Sequence, residues 1–171
     1  MKPLKLSFLL IMTMFLSACG EDAILPSPEK MTRDSIGFYC AMIVADHIGP
    51  KAQVFEKGQE KSLWFSQVRD AFAYRSMPGE AQNLSVIYVH DMGQATSYDN
   101  PQVDGIWIKA KTAFYVINSD KRGGMGARET IPFGQKSDAE NFAQQYNGIV
   151  VAFNDIPLDY LWGDEGDYET N

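Results

Sequence analysis

The chain has 171 residues, 45% of them hydrophobic, and a formal net charge of −7. That is enough for one moderate domain or two small ones sharing a core, and the acidic balance excludes a nucleic-acid binder or a polybasic grip on anionic lipid. Two cysteines are too few for a disulfide scaffold.

In chain order, Lys2 and Lys5 precede an apolar run over residues 6–16, followed by Ser17, Ala18 and Cys19. An apolar core this short, ended by small residues, reads as a secretory signal over residues 1–18 and not as a spanning helix. The run Leu16-Ser17-Ala18-Cys19 resembles the bacterial lipobox, which implies cleavage before Cys19 and lipid on its thiol and new amino group. The plain alternative is an ordinary signal peptide that leaves Cys19 unmodified. Gly20 after the cysteine, in place of Asp, points to the outer membrane in a Gram-negative host. Removing residues 1–18 takes away two lysines, leaving 13 basic against 22 acidic residues, or −9. With Cys19 acylated, Cys40 is the remaining free thiol and no intramolecular disulfide can form.

Residues 19–33, with two prolines and mixed charge, read as a lipidated tether. "AQVFEK" (52–57) and "SLWFS" (62–66) predict a hairpin, "QVRDAFAYR" (67–75) a helix, and "LSVIYVHDM" (84–92) a strand. The order then repeats. "GIWIKA" (105–110) and "TAFYVIN" (112–118) read as strands. "SDAENFAQQYNG" (137–148) reads as a helix with Ser137 as N-cap and Glu140 completing a capping box, and "GIVVAF" (148–153) as the closing strand. The economical parse is an α+β fold of two consecutive ββαβ units, residues 34–98 and 99–161, with antiparallel sheets covered by helices. A single irregular α+β sheet is the alternative. Residues 162–171 form an acidic tail without aliphatic side chains, expected to fray.

Chemistry concentrates in "GFYCAMIVADHIGPK" (37–51). On an extended backbone Cys40 and Met42 would project to one side, their Cα atoms about 6.6 Å apart. Thiolate and thioether sulfurs select Cu(I) over harder ions. Cys-x-Met also cannot close a disulfide outside the cytoplasm. The same spacing equally serves two core side chains. Met125, between Gly124 and Gly126, has little local surface to pack on. It is either a gap-filling side chain or a third sulfur delivered on a mobile loop.

"FYCAMIVADHIGPKAQVF", "GGMGARETIPFG" and the lipobox together resemble the NosL family, lipid-anchored copper chaperones associated with nitrous oxide reductase. The resemblance spans Phe38 to about Phe153. It implies a duplicated ββαβ fold, Cu(I) bound at Cys40, Met42 and Met125, and copper supplied for the reductase's catalytic copper–sulfide centre, directly or through a membrane transporter complex. Ala41 stands where the family is expected to have glycine, a change expected to matter little. Gly124 replaces a family proline and is expected to loosen the loop.

His47 is the candidate nitrogen ligand; alternatively it satisfies backbone groups near the Gly49-Pro50 turn. His90 and Met92 are weaker candidates on one strand face. Asp46 and Glu129 are oxygen candidates for a harder second ion such as zinc. Two further functions compete with a chaperone that performs no turnover. One is a thiol enzyme, an organometal lyase or thiol-transfer catalyst, with His47 activating Cys40. The other is a structural lipoprotein with a buried cysteine.

Overall fold

The computed structural model describes residues 25–101 and 105–163. The signal segment, acylation at Cys19 and the tail from residue 164 lie outside the described residues. In chain order the elements are β1 (Ala52–Glu56), β2 (Leu63–Phe65), α1 (Val68–Ser76), α2 (Glu80–Asn83), β3 (Leu84–His90), β4 (Trp107–Lys109), β5 (Phe114–Ile117), β6 (Ile131–Phe133), α3 (Lys136–Tyr146), β7 (Ile149–Ala152) and α4 (Leu158–Trp162). Strand order is β2-β1-β3-β4 in the first sheet and β6-β5-β7 in the second, with all pairs antiparallel. Hairpin, helix and a strand returning beside the first hairpin strand recur in the same order. The fold is α+β with a duplicated ββαβ plan.

The strands building the second unit differ from expectation. Trp107–Lys109 pairs with β3, Tyr88 opposite Lys109 and His90 opposite Trp107, as a fourth strand of the first sheet. The missing strand is β6, three residues with Pro132 at the centre. Proline cannot donate to a ladder, and β6 tolerates it because it is an edge strand. A second mark of duplication is "FSQVRDA" at 65–71 and "FGQKSDA" at 133–139. In both, the glutamine is the N-cap of the following helix.

That corrects the capping box, because α3 starts at Lys136 with Gln135 as N-cap and Ser137 lies inside its first turn. Glu140 instead pairs with Lys136 at 3.1 Å on the exposed face. Neither Gln67 nor Gln135 caps with its side chain. Carboxylates from elsewhere serve the helix starts. Glu129 accepts Arg69 N–H (2.9 Å) and Thr130 N–H (2.7 Å) on one oxygen and Val68 N–H (3.2 Å) on the other. Asp91 accepts Gly134 N–H at 2.8 Å just ahead of α3.

The strand β5 is buried on both faces. Tyr115 and Ile117 join Phe72, Val89 and Tyr160 in the main core, whereas Val116 packs with Ile131, Phe133 and Ala139 under α3. The outer face of the first sheet is covered by residues read from the sequence as tether. Tyr88 OH donates to Pro26 O at 2.8 Å, and the Gln53 amide both accepts from Glu29 N–H (2.8 Å) and donates to Glu29 O (2.9 Å). Trp162, expected in the tail, belongs to α4 and donates its indole N–H to Ser76 Oγ at 2.8 Å.

Burial pushes the Glu129 carboxyl up to about 8, against the pull of its backbone donors. The native state therefore holds this proton more tightly than the unfolded chain. The stability it contributes is complete below the ordinary value of 4.5 and is lost as pH rises toward 8. His90, held low by burial, acts oppositely but below 6.5. Lys51, lowered to about 8 from 10.5, acts above 8. Denaturant unfolding of Glu129→Gln should therefore show a flatter fall in stability between pH 6.5 and 8 than the unmodified chain, and equal slopes would refute the assignment.

Candidate metal centre

Residues 37–42 form a turn, not the extended strand expected for Cys-x-Met. An antiparallel bridge joins Ile36 to Ile43. Gly37 N–H donates to Met42 O (2.8 Å) and Ala41 N–H to Gly37 O (2.9 Å). The turn is seated on the free edge of β2, where Phe38 N–H donates to Trp64 O at 2.7 Å. Inside it the Cys40 thiol folds back over Gly37, so closely that a Cβ there would clash with Sγ. Its polar neighbour is Ser66 Oγ at 3.3 Å. Cys40 is half-buried and free, and Met42 is 45% exposed. Closing the turn puts Ala41 at φ +54°, in the left-handed region. Glycine reaches it freely, whereas alanine pays about 1–2 kcal/mol. The Gly-to-Ala departure has a physical cost after all.

Met125 sits in the long connection between β5 and β6. Arg122 bridges Arg128, Gly123 N–H donates to Ala127 O (2.9 Å), and Gly126 N–H donates to Gly123 O (2.9 Å). This hairpin turn is fastened from outside. Gln67 Oε1 accepts Met125 N–H at 2.8 Å, and Tyr98 OH donates to Arg122 O at 2.8 Å. Gly124 lies so close to its neighbours that a Cβ would come within 2.7 Å of His47 Cβ and 2.8 Å of Ser66 O. The backbone expected to be mobile, and loosened by Gly124, is clamped. What projects is the Met125 side chain, 45% exposed.

The two histidines are separated by their hydrogen bonds. His47 Nδ1 lies 3.0 Å from Gly124 O, and only a protonated nitrogen can donate there. Nε2 then carries the lone pair, and it is buried without a hydrogen-bond partner. Imidazoles that bind metals commonly have this arrangement, with one nitrogen donating to a carbonyl and the other free. His90 has the opposite tautomer. Its Nδ1 accepts Lys51 N–H at 3.3 Å, so the proton sits on Nε2, also buried without a partner, and the ring centres of His90 and Trp107 are 4.0 Å apart. Met92 has left the strand for the core under α3. Of the oxygen candidates, Asp46 pairs bidentately with Arg33 (2.8 and 3.2 Å), and Glu129 is spent on the α1 amides. Among the described residues, no three of His, Cys, Asp and Glu converge as a metal cluster.

Ser66 and Gln67 organise the arrangement, and sequence reasoning missed both. One holds the Cys40 thiol and packs its carbonyl against Gly124; the other holds the Met125 amide. The FSQVRDA/FGQKSDA repeat was the available signal. Around the centre Ile36, Phe38, Tyr39, Met42, Ile48 and Met125 are each 41–49% exposed, an unusual gathering of apolar surface on an acidic protein. Replacing Ala41 with glycine should relieve the turn, offset by about 0.5–1 kcal/mol of lost chain stiffness. The expected net gain is about 0.5–1 kcal/mol, a rise in Tm of about 1–4 °C by calorimetry; a fall would mean that the turn carries no strain.

The NosL family model matches residues 28–161. The copper-binding lipoprotein NosL of Achromobacter cycloclastes is 48% identical over 143 residues, covering 82% of this chain and 74% of that protein. The copper-binding lipoprotein NosL of Stutzerimonas stutzeri is 31% identical over 148 residues, 82% of this chain and 73% of that one. Among solved structures, the copper chaperone NosL from Shewanella denitrificans superposes with a TM-score of 0.71 at 30% identity, over 76% of this chain and 95% of that one. The solution structure of apo-NosL from Achromobacter cycloclastes gives 0.50 at 46% identity, over 65% and 88%. The chain belongs to the NosL family.

Proposed function

We propose that the protein is a Cu(I) carrier, lipid-anchored at Cys19 in the outer membrane and facing the periplasm. It binds the ion through Cys40, Met42 and Met125, with His47 Nε2 as nitrogen ligand, and performs no turnover. The observation that carries this reading is that the Cys40 thiol and the Met125 loop meet neighbouring residues, the thiol at Ser66 Oγ and the loop at Gln67 Oε1 and, through Gly124, at Ser66 O, with both methionine side chains projecting. Thiolate and thioethers are soft donors suited to Cu(I). The lipobox-like run before Cys19 and the lipoprotein relatives support the anchor.

Transfer needs open coordination, and half-exposed thioethers leave positions an acceptor's ligand can attack. The exposed apolar side chains around the thiol offer that acceptor a seat. By resemblance to the family the recipient is nitrous oxide reductase, whose copper–sulfide centre the copper would build, directly or through an associated membrane transporter complex. With His47 assigned to copper, a harder second ion such as zinc is left with Asp46, for which it competes with Arg33. A thiol enzyme fits less well. Cys40 has a hydroxyl, not a base, as its polar neighbour.

Competition against a Cu(I) chelator tests the ligand set. Losing a group that only orients a ligand costs about 10- to 100-fold in affinity. Cys40→Ala should cost more than this, and Met42→Ala, Met125→Ala and His47→Ala each an amount within it. Unchanged affinity in Cys40→Ala would refute the site.

A further inference from the structure

Toward the edge of the first sheet opposite the β2 edge that seats the Cys40 turn lies a groove of about 540 Å³. Its walls are the start of β3, the 109–111 segment and Phe153, with Leu25 at its edge. Arg75, Lys109 and Lys111 line it, and no Asp or Glu does. Three cations around one groove stand out on a chain with 22 acidic residues. Among the described residues none of the three side chains is in an ion pair. Arg75 stacks on Phe153 with its guanidinium 4.6 Å from the ring centre. The nearby carboxylates of Glu56 and Glu80 are drawn away, both accepting the Tyr74 hydroxyl (2.6 and 3.1 Å). Beside the cations Ser85 and Asn154 offer uncharged polar groups, and Leu84, Val86 and Phe153 an apolar floor.

The groove's place in the fold suggests its ligand. Leu25, the first described residue, is six residues after Cys19, a stretch that spans at most about 20 Å. From there the chain crosses the outer face of the first sheet, fastened by Tyr88 and Gln53, toward the turn that carries Cys40. Leu84 at the groove is level with Glu56, whereas Val89 is level with Ala52 and Phe65 beside the thiol turn, five strand residues or about 17 Å along the sheet. Lys109 is level with Tyr88, Gln53 and Trp64 and is separated from the thiol turn across the sheet, by three strand spacings or about 14 Å.

We propose that this groove holds the anionic phosphate headgroup of a membrane lipid and thereby turns the Cys40 end of the domain away from the bilayer. The proposal rests on the anchor at Cys19. It reverses, for one patch, the conclusion that the acidic chain has no grip on anionic lipid. A cation near an anionic surface gains about 1 kcal/mol, or about fivefold in local equilibrium.

The test uses the full lipidated protein in vesicles of phosphatidylcholine alone and of phosphatidylcholine mixed with phosphatidylglycerol. Rates of lysine acylation are read by peptide mass spectrometry. Lys109 and Lys111 should react about fivefold slower in the anionic vesicles. Lys136, on α3, should not change. Arg75→Gln should restore the faster rate at both lysines, and Lys109→Gln, an exposed change that leaves the stacked arginine intact, should restore it at Lys111. Equal rates in the two vesicle types would overturn the proposal. So would equal protection by inorganic phosphate in neutral vesicles, which would make free phosphate the ligand. Failure of the protein to stay on neutral vesicles would instead overturn the anchor at Cys19, and the proposal with it.

Discussion

Glu129 is a fully buried carboxyl group whose two oxygens accept amides from Val68 and Arg69, at the first turn of α1, and from Thr130. It is contributed by the chain just beyond the Met125 loop, so satisfying the helix start also pulls that loop onto the helix. Gly123 allows the approach, because a Cβ there would come within 2.8 Å of the carboxylate and 2.6 Å of the Gln67 amide oxygen. A helix start with unmet donors costs free energy, and so does a buried carboxyl group without partners. Each removes the other's penalty. The rest of the centre follows, since Gln67 is then placed to take the Met125 amide and Ser66 to face the Cys40 thiol.

The centre divides into a rigid backbone and projecting donors. Turns at 37–42 and 122–128 are closed by their own hydrogen bonds, while Met42 and Met125 reach into solvent. A carrier benefits from this division. Fixed amides and carbonyls limit the reorganisation needed on binding, and flexible thioethers can exchange one by one. His47 adds a buried lone pair without a partner in the free protein, a cost of about 1–3 kcal/mol that a bound cation would remove.

Periodicity made much of the fold legible. Val68, Ala71 and Phe72 at helical spacing and the β-branched run from Leu84 predicted α1 and β3 closely. Three residues with a central proline carry no strand pattern, so β6 stayed hidden and Trp107–Lys109 was placed in the wrong sheet. The residues of the centre were visible as sulfur-bearing side chains, but their geometry was not. An i, i+2 pair suggests a strand, and only the backbone shows that Ala41 at φ +54° makes it a turn. Ser66 and Gln67 carry no metal chemistry of their own. Their importance comes from contacts with residues 26 and 58 positions away, which local pattern does not encode. The two histidines looked alike in sequence and are distinguished by what Nδ1 meets, a backbone carbonyl at His47 and a backbone N–H at His90.

The account comes down to whether sulfur from both turns reaches one cation. X-ray absorption at the copper edge of the Cu(I)-loaded protein measures this directly. It should show more than one sulfur neighbour near about 2.3 Å with a nitrogen beside them, and the sulfur signal should shrink in both Cys40→Ala and Met125→Ala. A shell of nitrogen and oxygen alone, or a spectrum unchanged by loss of Met125, would contradict it.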